Sequence, residues 1–299
     1  MKPSNKTRVL ITGANGQVGS CLVKQLSSRS DVELVALDKS ELDISNQPEV
    51  EKLVLDFRPN FIINAAAYTA VDTAEDEVNA AYEINEKGPK YLAQAVKDVD
   101  AVILHISTDY VFEGNKVGSY LETDPTNPQG VYGSSKLAGE LTVSEATDKH
   151  IILRTAWVFG EQGNNFVKTM LKLAKDRDTL SIVADQFGGP TYAGDIANTL
   201  IKIMDSVITG ENVEYGTYHY SGMPYVSWFQ FADCIFTNAV EQGILTKSPE
   251  LTSIVTEQYP TPAKRPPNSK LDLMKIKTNF NIQASDWKKA ISDLSLYKG

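Results

Sequence analysis

The hydrophobic positions along this chain alternate between short apolar runs and longer segments in which apolar residues recur every three or four positions. The short runs predict buried strands at 8–12, 32–38, 61–67 and 101–108. The longer segments predict helices from the first turn to about residue 28 and at 47–57, 77–97 and 132–146. Strands that alternate with helices pair in parallel through right-handed crossovers, so the pattern predicts an α/β fold built on a doubly wound parallel sheet.

The turn after the first predicted strand carries three evenly spaced glycines, Gly13, Gly16 and Gly19. The first permits a tight turn, the second lets backbone approach a pyrophosphate, and the third allows close helix packing. The helix that follows presents free N–H groups to an anion, so the turn predicts a dinucleotide site. The second strand ends at Asp38, where a ribose-binding carboxylate is expected. Asp38 favours NADH, whereas the adjacent Lys39 could contact the 2′-phosphate of NADPH, so both cofactors stay open.

Small residues fall at the ends of two further predicted strands. Ala65, Ala66 and Ala67 end the third strand, and Thr108 ends the fourth. Ligands of doubly wound sheets bind at the carboxyl ends of strands, where an alanine leaves room for a cofactor. Packing alone would also explain each alanine taken separately. Their shared position at the strand ends favours contact with a ligand.

Tyr132 and Lys136 are separated by one helical turn in the segment YGSSK, so their side chains share a face. A neighbouring ammonium favours the ionised phenol, and we expect Lys136 to lower the pKa of Tyr132 from about 10 towards neutrality. Proton donation to a carbonyl would then be feasible. A surface helix pair would give the same spacing. Together with the glycine turn and the strand end Ser107-Thr108, however, the pair predicts a nicotinamide-dependent oxidoreductase.

A discontinuous division into two lobes follows from the order of the predicted elements. We place a dinucleotide-binding domain at residues 1–163 plus about 178–209, where a returning strand and helix complete the sheet. A smaller C-terminal α/β substrate-binding lobe then comprises about 164–177 plus 210–299.

Composition and charge argue against several other classes of protein. The net charge is −9 and Lys and Arg do not cluster, which argues against nucleic-acid binding. Cys21 and Cys234 form no CxxC pair, and the histidines show no ligand spacing, so we expect no metal site. No apolar run is long enough to span a membrane, and residues 1–6 lack an apolar signal region. We therefore expect a cytoplasmic protein without a membrane partner.

In order along the chain, TGANGQVG, the Ser107-Thr108 strand end and YGSSK resemble the extended short-chain dehydrogenase/reductase superfamily, and Asn85 fits its helix asparagine. More narrowly, the chain resembles the dTDP-4-dehydrorhamnose reductase family. The matching segments cover most of the length: INAAAYTAVDTAE, STDYVFEG, YGSSKLAGE, ILRTAWVFG, GNNFVKTML, DQFGGPTYA and YPTPAKRP.

This resemblance implies reduction of the C4 ketone of a dTDP-4-keto-6-deoxy sugar by NADPH or NADH, within nucleotide-sugar and polysaccharide biosynthesis. It implies that Thr108 hydrogen-bonds the reacting oxygen, that Tyr132 protonates it, and that Lys136 acidifies Tyr132 and binds the nicotinamide ribose. It also implies a substrate site formed by Thr108, Asp109, Tyr110 and Trp157, with Asn165, Tyr259 and Arg265 as candidates for the nucleotide. The candidate cofactor residues are Gly13, Gly16, Gln17, Val18, Gly19, Asp38, Asp43, Ile44, Ala65, Ala66, Ala67, Tyr132 and Lys136.

Three alternatives to a simple reductase follow from related proteins: dehydration, a regulatory role and a metal-bridged dimer. Nucleotide-sugar dehydratases carry an Asp-Glu pair after the strand-end threonine, whereas Asp109 is followed by Tyr110, so dehydration is disfavoured. A non-catalytic NAD(P)-binding regulatory subunit, resembling the methionine adenosyltransferase beta subunit, is the alternative function. Some family members are dimers bridged by a metal on acidic side chains of the first helix, where this chain has Cys21. A bridging metal is therefore not expected, and a homodimer stays open.

Overall fold

A six-stranded sheet forms the centre of the protein, whose computed structural model describes residues 6–297. The expectation that residues 1–5 belong to no targeting segment lies outside these residues. The strands in chain order are β1 (Thr7–Thr12), β2 (Val32–Leu37), β3 (Phe61–Asn64), β4 (Val102–Thr108), β5 (His150–Thr155), β6 (Val158–Phe159), β7 (Thr179–Val183), β8 (Phe187–Gly188), β9 (Thr191–Tyr192), β10 (Gly216–His219), β11 (Val226–Ser227), β12 (Glu250–Ile254) and β13 (Asn268–Ser269). The central sheet has the order β2-β1-β3-β4-β5-β10, and all of its strands are parallel.

Helices cover both faces of this sheet. They are α1 (Gln17–Leu26), α2 (Gln47–Phe57), α3 (Val78–Tyr82), α4 (Gly88–Asp98), α5 (Val131–Ala146), α6 (Phe166–Asp176), α7 (Ala193–Ile208), α8 (Trp228–Glu241), α9 (Met274–Phe280) and α10 (Trp287–Ala290). A π-helical turn, Glu83–Lys87, joins α3 to α4, so the segment predicted as one helix at 77–97 contains one wide turn. Within residues 6–297, no helix is long and apolar enough to cross a bilayer.

The apolar strand residues point alternately to the two faces, as a sheet buried on both sides requires. Val9 and Ile11 of β1 pack with α1 and α7, whereas Leu10 between them packs with α2 and α4. Ile62 and Ile63 of β3 divide between the two faces in the same way. This arrangement confirms the predicted doubly wound parallel sheet.

Two strand predictions are wrong in detail. The third strand ends at Asn64, and residues 65–67 lie beyond it, with Ala65 still donating its N–H to the carbonyl of Thr12 at 3.1 Å. The strand expected to return near residue 178 is β7, which pairs with β12 in a separate two-stranded sheet. Its residues are buried on one face only, whereas the central sheet is covered on both faces. The sixth strand is β10 instead, which pairs with β5 and includes the buried residues Tyr218 and His219.

A second apolar core lies in the part of the chain that includes α6, α8 and β7. Leu180 and Ile182 of β7 pack there with Phe231 and Phe236 of α8. Trp287 of α10 closes this core and donates its indole N–H to the carbonyl of Pro224 at 2.9 Å. A cleft lies at the carboxyl ends of the central strands.

Candidate active site

A cleft of about 940 Å³ opens where β1, β2, β3, β4 and β5 end. Its volume falls at the upper end of the range, roughly 300–1,000 Å³, that is typical of ligand pockets. The candidate residues that line it are Gly13, Gly16, Gln17, Val18, Asp38, Asp43, Ile44, Ala65, Ala66, Ala67, Thr108, Asp109, Tyr110, Tyr132, Lys136 and Trp157. Four other candidates do not line it: Gly19, Asn165, Tyr259 and Arg265.

The glycine turn at the start of α1 has the geometry that a dinucleotide requires. Gly13 has a φ of +73°, and a Cβ at this position would lie 2.6 Å from the amide nitrogen of Ala66. A Cβ on Gly19 would lie 2.0 Å from the carbonyl oxygen of Gly13, so Gly19 serves close packing rather than direct lining of the cleft. The N-cap residue, Gly16, has no side chain to bond the first N–H groups of α1. These groups therefore fit the pyrophosphate of a dinucleotide.

Asp38 lies where β2 ends, at the edge of the cleft. Its carboxylate accepts hydrogen bonds from the backbone N–H and the hydroxyl of Ser40, both at 2.7 Å, and from the side-chain amide of Asn15. These donors hold the pKa of Asp38 below its ordinary value, with the Ser40 hydroxyl as the largest cause. Asn15 also lines the cleft and was missed from the sequence, although it lies within the glycine turn. Asp38 is thus an ionised hydrogen-bond acceptor at the cleft edge, and the adjoining Lys39 lines the same edge.

Thr108 ends β4 and caps a short helical turn, Asp109–Val111. Its hydroxyl accepts from the backbone N–H of Tyr110 at 3.3 Å and donates to a carboxylate oxygen of Asp109 at 3.2 Å. The same hydroxyl lies beside the Tyr132 phenol, and the hydrogen bond between them acts to lower the pKa of that phenol. The ring of Tyr110 meets that of Tyr132 edge to face, with centroids 5.4 Å apart. The threonine hydroxyl and the two phenol rings therefore form one wall of the cleft.

The pKa of Tyr132 is raised, so the predicted acidification by Lys136 is wrong for this arrangement of side chains. Burial of the phenol is the largest cause, and the nearby charge of Asp109 raises the pKa further, whereas Thr108 opposes both. The ammonium of Lys136 donates instead to the carbonyl oxygen of Ile106 at 2.7 Å. Tyr132 therefore keeps its proton at neutral pH.

Lys136 is itself almost fully buried, and burial lowers the pKa of its ammonium to about 8. The carboxylate of Glu140, one turn further along α5, opposes this shift. Glu140 makes a buried ion pair with Arg154 of β5, in which the guanidinium Nη2 lies 2.6 Å from Oε2 and Nε donates to both carboxylate oxygens. The face of α5 that carries Tyr132 and Lys136 therefore continues into a buried charge pair.

The floor of the cleft contains polar groups that no protein group satisfies. Asp109 is 3% exposed, and burial raises its pKa to about 6. Within residues 6–297, the hydroxyls of Ser107 and Thr155 are buried without a hydrogen-bond partner. Ser107 and Thr155 also line the cleft, and sequence reasoning did not single out Thr155 as a site residue. Buried polar groups are usually paired, so this cluster fits a ligand rich in hydroxyl groups.

A buried hydrogen-bond network holds the strand ends beneath the cleft. Asn64 accepts from the Thr12 hydroxyl at 2.7 Å and donates to Nδ1 of His105 at 3.0 Å. Burial lowers the pKa of His105 well below its ordinary value, so the ring is neutral and its Nδ1 can accept. The carboxamide oxygen of Asn64 also accepts from the amide of Ala66 at 3.1 Å, which fixes the first residues beyond β3.

Asn85 holds α5 against the segment that follows β3. From the π-helical turn, its side chain accepts from the N–H of Tyr68 at 2.8 Å and donates to the carbonyl of the same residue at 3.0 Å. It also donates to the hydroxyl of Ser135 on α5 at 3.0 Å. Asn85 is fully buried and therefore acts by positioning the backbone around the cleft.

Trp157 forms the far wall. It adopts a φ of +50°, which is unusual for a residue other than glycine, and it stacks on Trp228 with ring centroids 3.5 Å apart. The stack fixes the indole plane, because one ring face packs on Trp228. Trp157 therefore offers a rigid apolar surface to the ligand.

The three candidates for the nucleotide do not line the cleft. Arg265 pairs with Asp72 at 2.7 Å and donates to the phenol oxygen of Tyr110 at 3.3 Å. Tyr259 is 58% exposed. Asn165 caps α6, and its amide donates to Gln17 Oε1 at 3.1 Å and to a backbone carbonyl at 2.7 Å.

Comparisons with known proteins agree over nearly the whole chain. The family model described as the RmlD substrate binding domain matches residues 7–296. A dTDP-4-dehydrorhamnose reductase from Aggregatibacter actinomycetemcomitans is 55% identical over 290 residues, which cover 97% of this chain and 99% of the relative. One from Escherichia coli (strain K12) is 41% identical over 283 residues, covering 93% and 94%. The crystal structure of a dTDP-4-dehydrorhamnose reductase from Bacillus anthracis str. Ames in complex with NADP is similar with a TM-score of 0.88 and 40% identity, covering 96% of this chain and 97% of that one.

Proposed function

Because the chain belongs to the dTDP-4-dehydrorhamnose reductase family of extended short-chain dehydrogenase/reductases, we propose that it reduces dTDP-4-dehydrorhamnose to dTDP-L-rhamnose. The electron donor is NADPH or NADH, and the reaction belongs to nucleotide-sugar and polysaccharide biosynthesis. One observation carries the proposal: Thr108, Tyr132 and Lys136 line a single cleft together with the glycine turn of α1. The relatives are named for the reductase activity, so the regulatory-subunit alternative gains no support from them.

The residues at the strand ends fit a nicotinamide dinucleotide. The turn from Gly13 to Gly19 would hold the pyrophosphate against the N-terminus of α1. Asp38 would bind the adenosine ribose, and Lys39 lies close enough to meet a 2′-phosphate, which supports the use of either cofactor. When bound, the reduced nicotinamide supplies the hydride that adds to the ketone carbon.

Tyr132 is the proposed proton donor. Its raised pKa keeps the phenol protonated, so a proton is available when negative charge develops on the ketone oxygen. The Thr108 hydroxyl lies beside the phenol and would donate a hydrogen bond to the same oxygen. The low exposure of Thr108, 6%, strengthens its interaction, because little water competes for the oxygen.

Lys136 would place positive charge near the reacting groups, although it does not lower the pKa of Tyr132 in the free protein. Its ammonium, buried on the same face of α5, is the positive charge one turn from Tyr132. It would also bind the hydroxyls of the nicotinamide ribose. Because its pKa is about 8, the charge is present at neutral pH and is lost in alkaline solution.

The sugar would lie between Asp109, Tyr110 and Trp157. The buried carboxylate of Asp109 can accept from a sugar hydroxyl, and the indole of Trp157 provides an apolar face for the ring. Arg265 and the exposed Tyr259 are our candidates for the nucleotide at the rim, because a guanidinium can bind a diphosphate bidentately. Asn165 would act through Gln17, which its amide contacts.

We propose that the lobes divide these tasks. The central sheet, with α7 and β10 included, would bind the dinucleotide, and the second core around α6 and α8 would form most of the substrate lobe. A homodimer, a cytoplasmic location and the absence of nucleic-acid partners are further proposals. Light scattering after size-exclusion chromatography tests the first of them.

The proposed reaction is tested by offering purified protein dTDP-4-keto-6-deoxy-L-mannose with NADPH or NADH. We expect the absorbance of the reduced nicotinamide to fall and NMR of the product to show the rhamno configuration at C4. A Tyr132→Phe variant provides the control, because it removes only the phenol oxygen. Absence of turnover with both cofactors, in protein that binds them, would contradict the proposal.

A further inference from the structure

The turn that follows β3 contains an acidic side chain that caps the helix carrying Tyr132 and Lys136. A carboxylate oxygen of Glu75 accepts from the backbone N–H of Val131, the first residue of α5, at 2.9 Å. Gly130, the N-cap residue of α5, makes no side-chain hydrogen bond to the helix, and the first turn of α5 contains no acidic residue. Glu75 therefore supplies from another element both the acceptor and the negative charge that a helix N-terminus favours.

The position of this cap bears directly on the reacting phenol. Tyr132 follows Val131 immediately, so the capped N–H and the phenol belong to the same helical turn. Further along α5, Ser135 is held by Asn85, and Lys136 is held by the carbonyl of Ile106. Three residues in the first two turns of α5 are therefore hydrogen-bonded to different segments, and the bond from Val131 to Glu75 lies nearest to Tyr132 in the chain.

Three residues earlier, Asp72 holds the loop that reaches over from the C-terminal part of the chain. One carboxylate oxygen accepts from the backbone N–H of Ala263 at 3.2 Å, and the other pairs with Arg265 at 2.7 Å. Arg265 in turn donates to the phenol oxygen of Tyr110, whose ring packs against that of Tyr132. The short turn from Asp72 to Glu75 thus contacts both the loop at the cleft rim and the N-terminus of α5.

We propose that the turn Asp72–Glu75 positions the reacting groups of this enzyme: Glu75 sets the place of Tyr132 by capping α5, and Asp72 sets the place of Arg265 at the rim. The proposal rests on the function proposed above and adds two residues to it. Neither lines the cleft as a reacting group, so both are positioning residues. Their separate contacts predict separate effects on turnover and on substrate binding.

Glu75→Ala should lower kcat for reduction of dTDP-4-keto-6-deoxy-L-mannose about 10- to 100-fold, because displacement of a reacting group by roughly 1 Å costs up to about 100-fold. Its KM for the sugar nucleotide should stay within about twofold, since the rim contacts are intact. Glu75→Gln keeps an oxygen that can accept from Val131 and should recover most of the lost kcat. The dissociation constant for NADPH should not change in either variant.

Asp72→Ala should act on the other parameter. Without its partner, the long side chain of Arg265 must be ordered when substrate binds, which costs affinity. We expect KM for the sugar nucleotide to rise roughly 3- to 10-fold, with kcat changed less than in Glu75→Ala. Asp76→Ala is the matched control, because Asp76 lies next to Glu75 and its carboxylate makes no hydrogen bond or ion pair to any residue from 6 to 297.

The outcomes separate this proposal from the function on which it rests. Wild-type protein without turnover refutes the function itself. Active wild-type protein together with a Glu75→Ala variant that matches Asp76→Ala in kcat refutes the positioning role. A Glu75→Ala variant with a lower melting temperature but unchanged kcat also refutes it, because the cap would then serve stability alone.

Discussion

Breaking the buried ion pair between Glu140 and Arg154 should destabilise the protein strongly, and Glu140→Ala is the variant that tests it. The side chains of Arg154 and Glu140 are 6% and 4% exposed, and three nitrogen–oxygen contacts of 2.6–3.1 Å join them. One guanidinium nitrogen, Nη1, already has no acceptor among residues 6–297. Removal of the carboxylate would therefore leave a buried cation without any anionic partner.

The expected loss follows from that uncompensated charge. Removal of one partner from a buried pair typically costs about 3–5 kcal/mol, because the remaining charge is desolvated without compensation. Total free energies of unfolding are only about 5–15 kcal/mol. We therefore expect the urea unfolding midpoint of Glu140→Ala to fall steeply and the melting temperature to fall by roughly 6–20 °C. Circular dichroism during urea and thermal unfolding measures both quantities.

An exposed pair of the same length provides the control. Lys247 and Asp178 also lie 2.6 Å apart, but their side chains are 72% and 80% exposed. Asp178→Ala should cost far less stability than Glu140→Ala, since water screens the charges. Glu140→Leu combined with Arg154→Met should recover most of the stability, because it removes both buried charges. Equal losses for Glu140→Ala and Asp178→Ala would refute the reasoning that burial rather than distance sets the cost.

Three further predictions concern the site itself. The pKa of Lys136 is about 8 in the folded protein against 10.5 ordinarily, so kcat/KM should fall as pH rises through about 8. Between about pH 8 and 10.5 Lys136 keeps its proton only in the unfolded chain, so its contribution to the free energy of unfolding should rise with pH. Kinetics and urea unfolding measured over this pH range test both directions. Tyr132→Phe should lower kcat by about 10²–10⁴-fold with little change in melting temperature. A loss of kcat accompanied by a large fall in melting temperature would indicate a structural role instead. Gly19→Ala should lower stability by about 1–3 kcal/mol and weaken NADPH binding, because its Cβ would lie 2.0 Å from the Gly13 carbonyl oxygen. A dissociation constant for NADPH equal to that of the wild type would contradict this.

The sequence was most informative where the signal is local. Helix α2 was predicted at 47–57 and spans those residues, because Pro48 in its first turn and regular apolar spacing mark its extent. Helix α5 begins one residue before its predicted start. The candidate cofactor residues mostly converge on the cleft, since parallel strands end at one edge of a sheet. Thr108, Tyr132 and Lys136 were also recognisable from their motifs.

The remaining features depend on contacts between distant residues. Strands β7 and β10 are both short and partly apolar, and only their pairing decides which of them joins the central sheet. The pairing of Asp72 with Arg265 spans 193 residues and leaves no local pattern. The pKa of Tyr132 was predicted in the wrong direction because spacing reveals the neighbouring ammonium but not the depth of burial. Sequence therefore predicted which residues line the cleft better than it predicted their environment.

The π-helical turn at Glu83–Lys87 makes the protein sensitive to the number of residues in this segment. A π turn accommodates one residue more than regular winding, so the parts of the helix before and after it are out of phase by about 100°. Asn85 needs one phase to reach Tyr68 and Ser135, while Leu92 and Val96 need the other to face the sheet. Deletion of a single residue here would rewind the helix and satisfy only one of these demands. Indels should therefore be far less tolerated at 83–87 than point substitutions on the solvent side of the same helix.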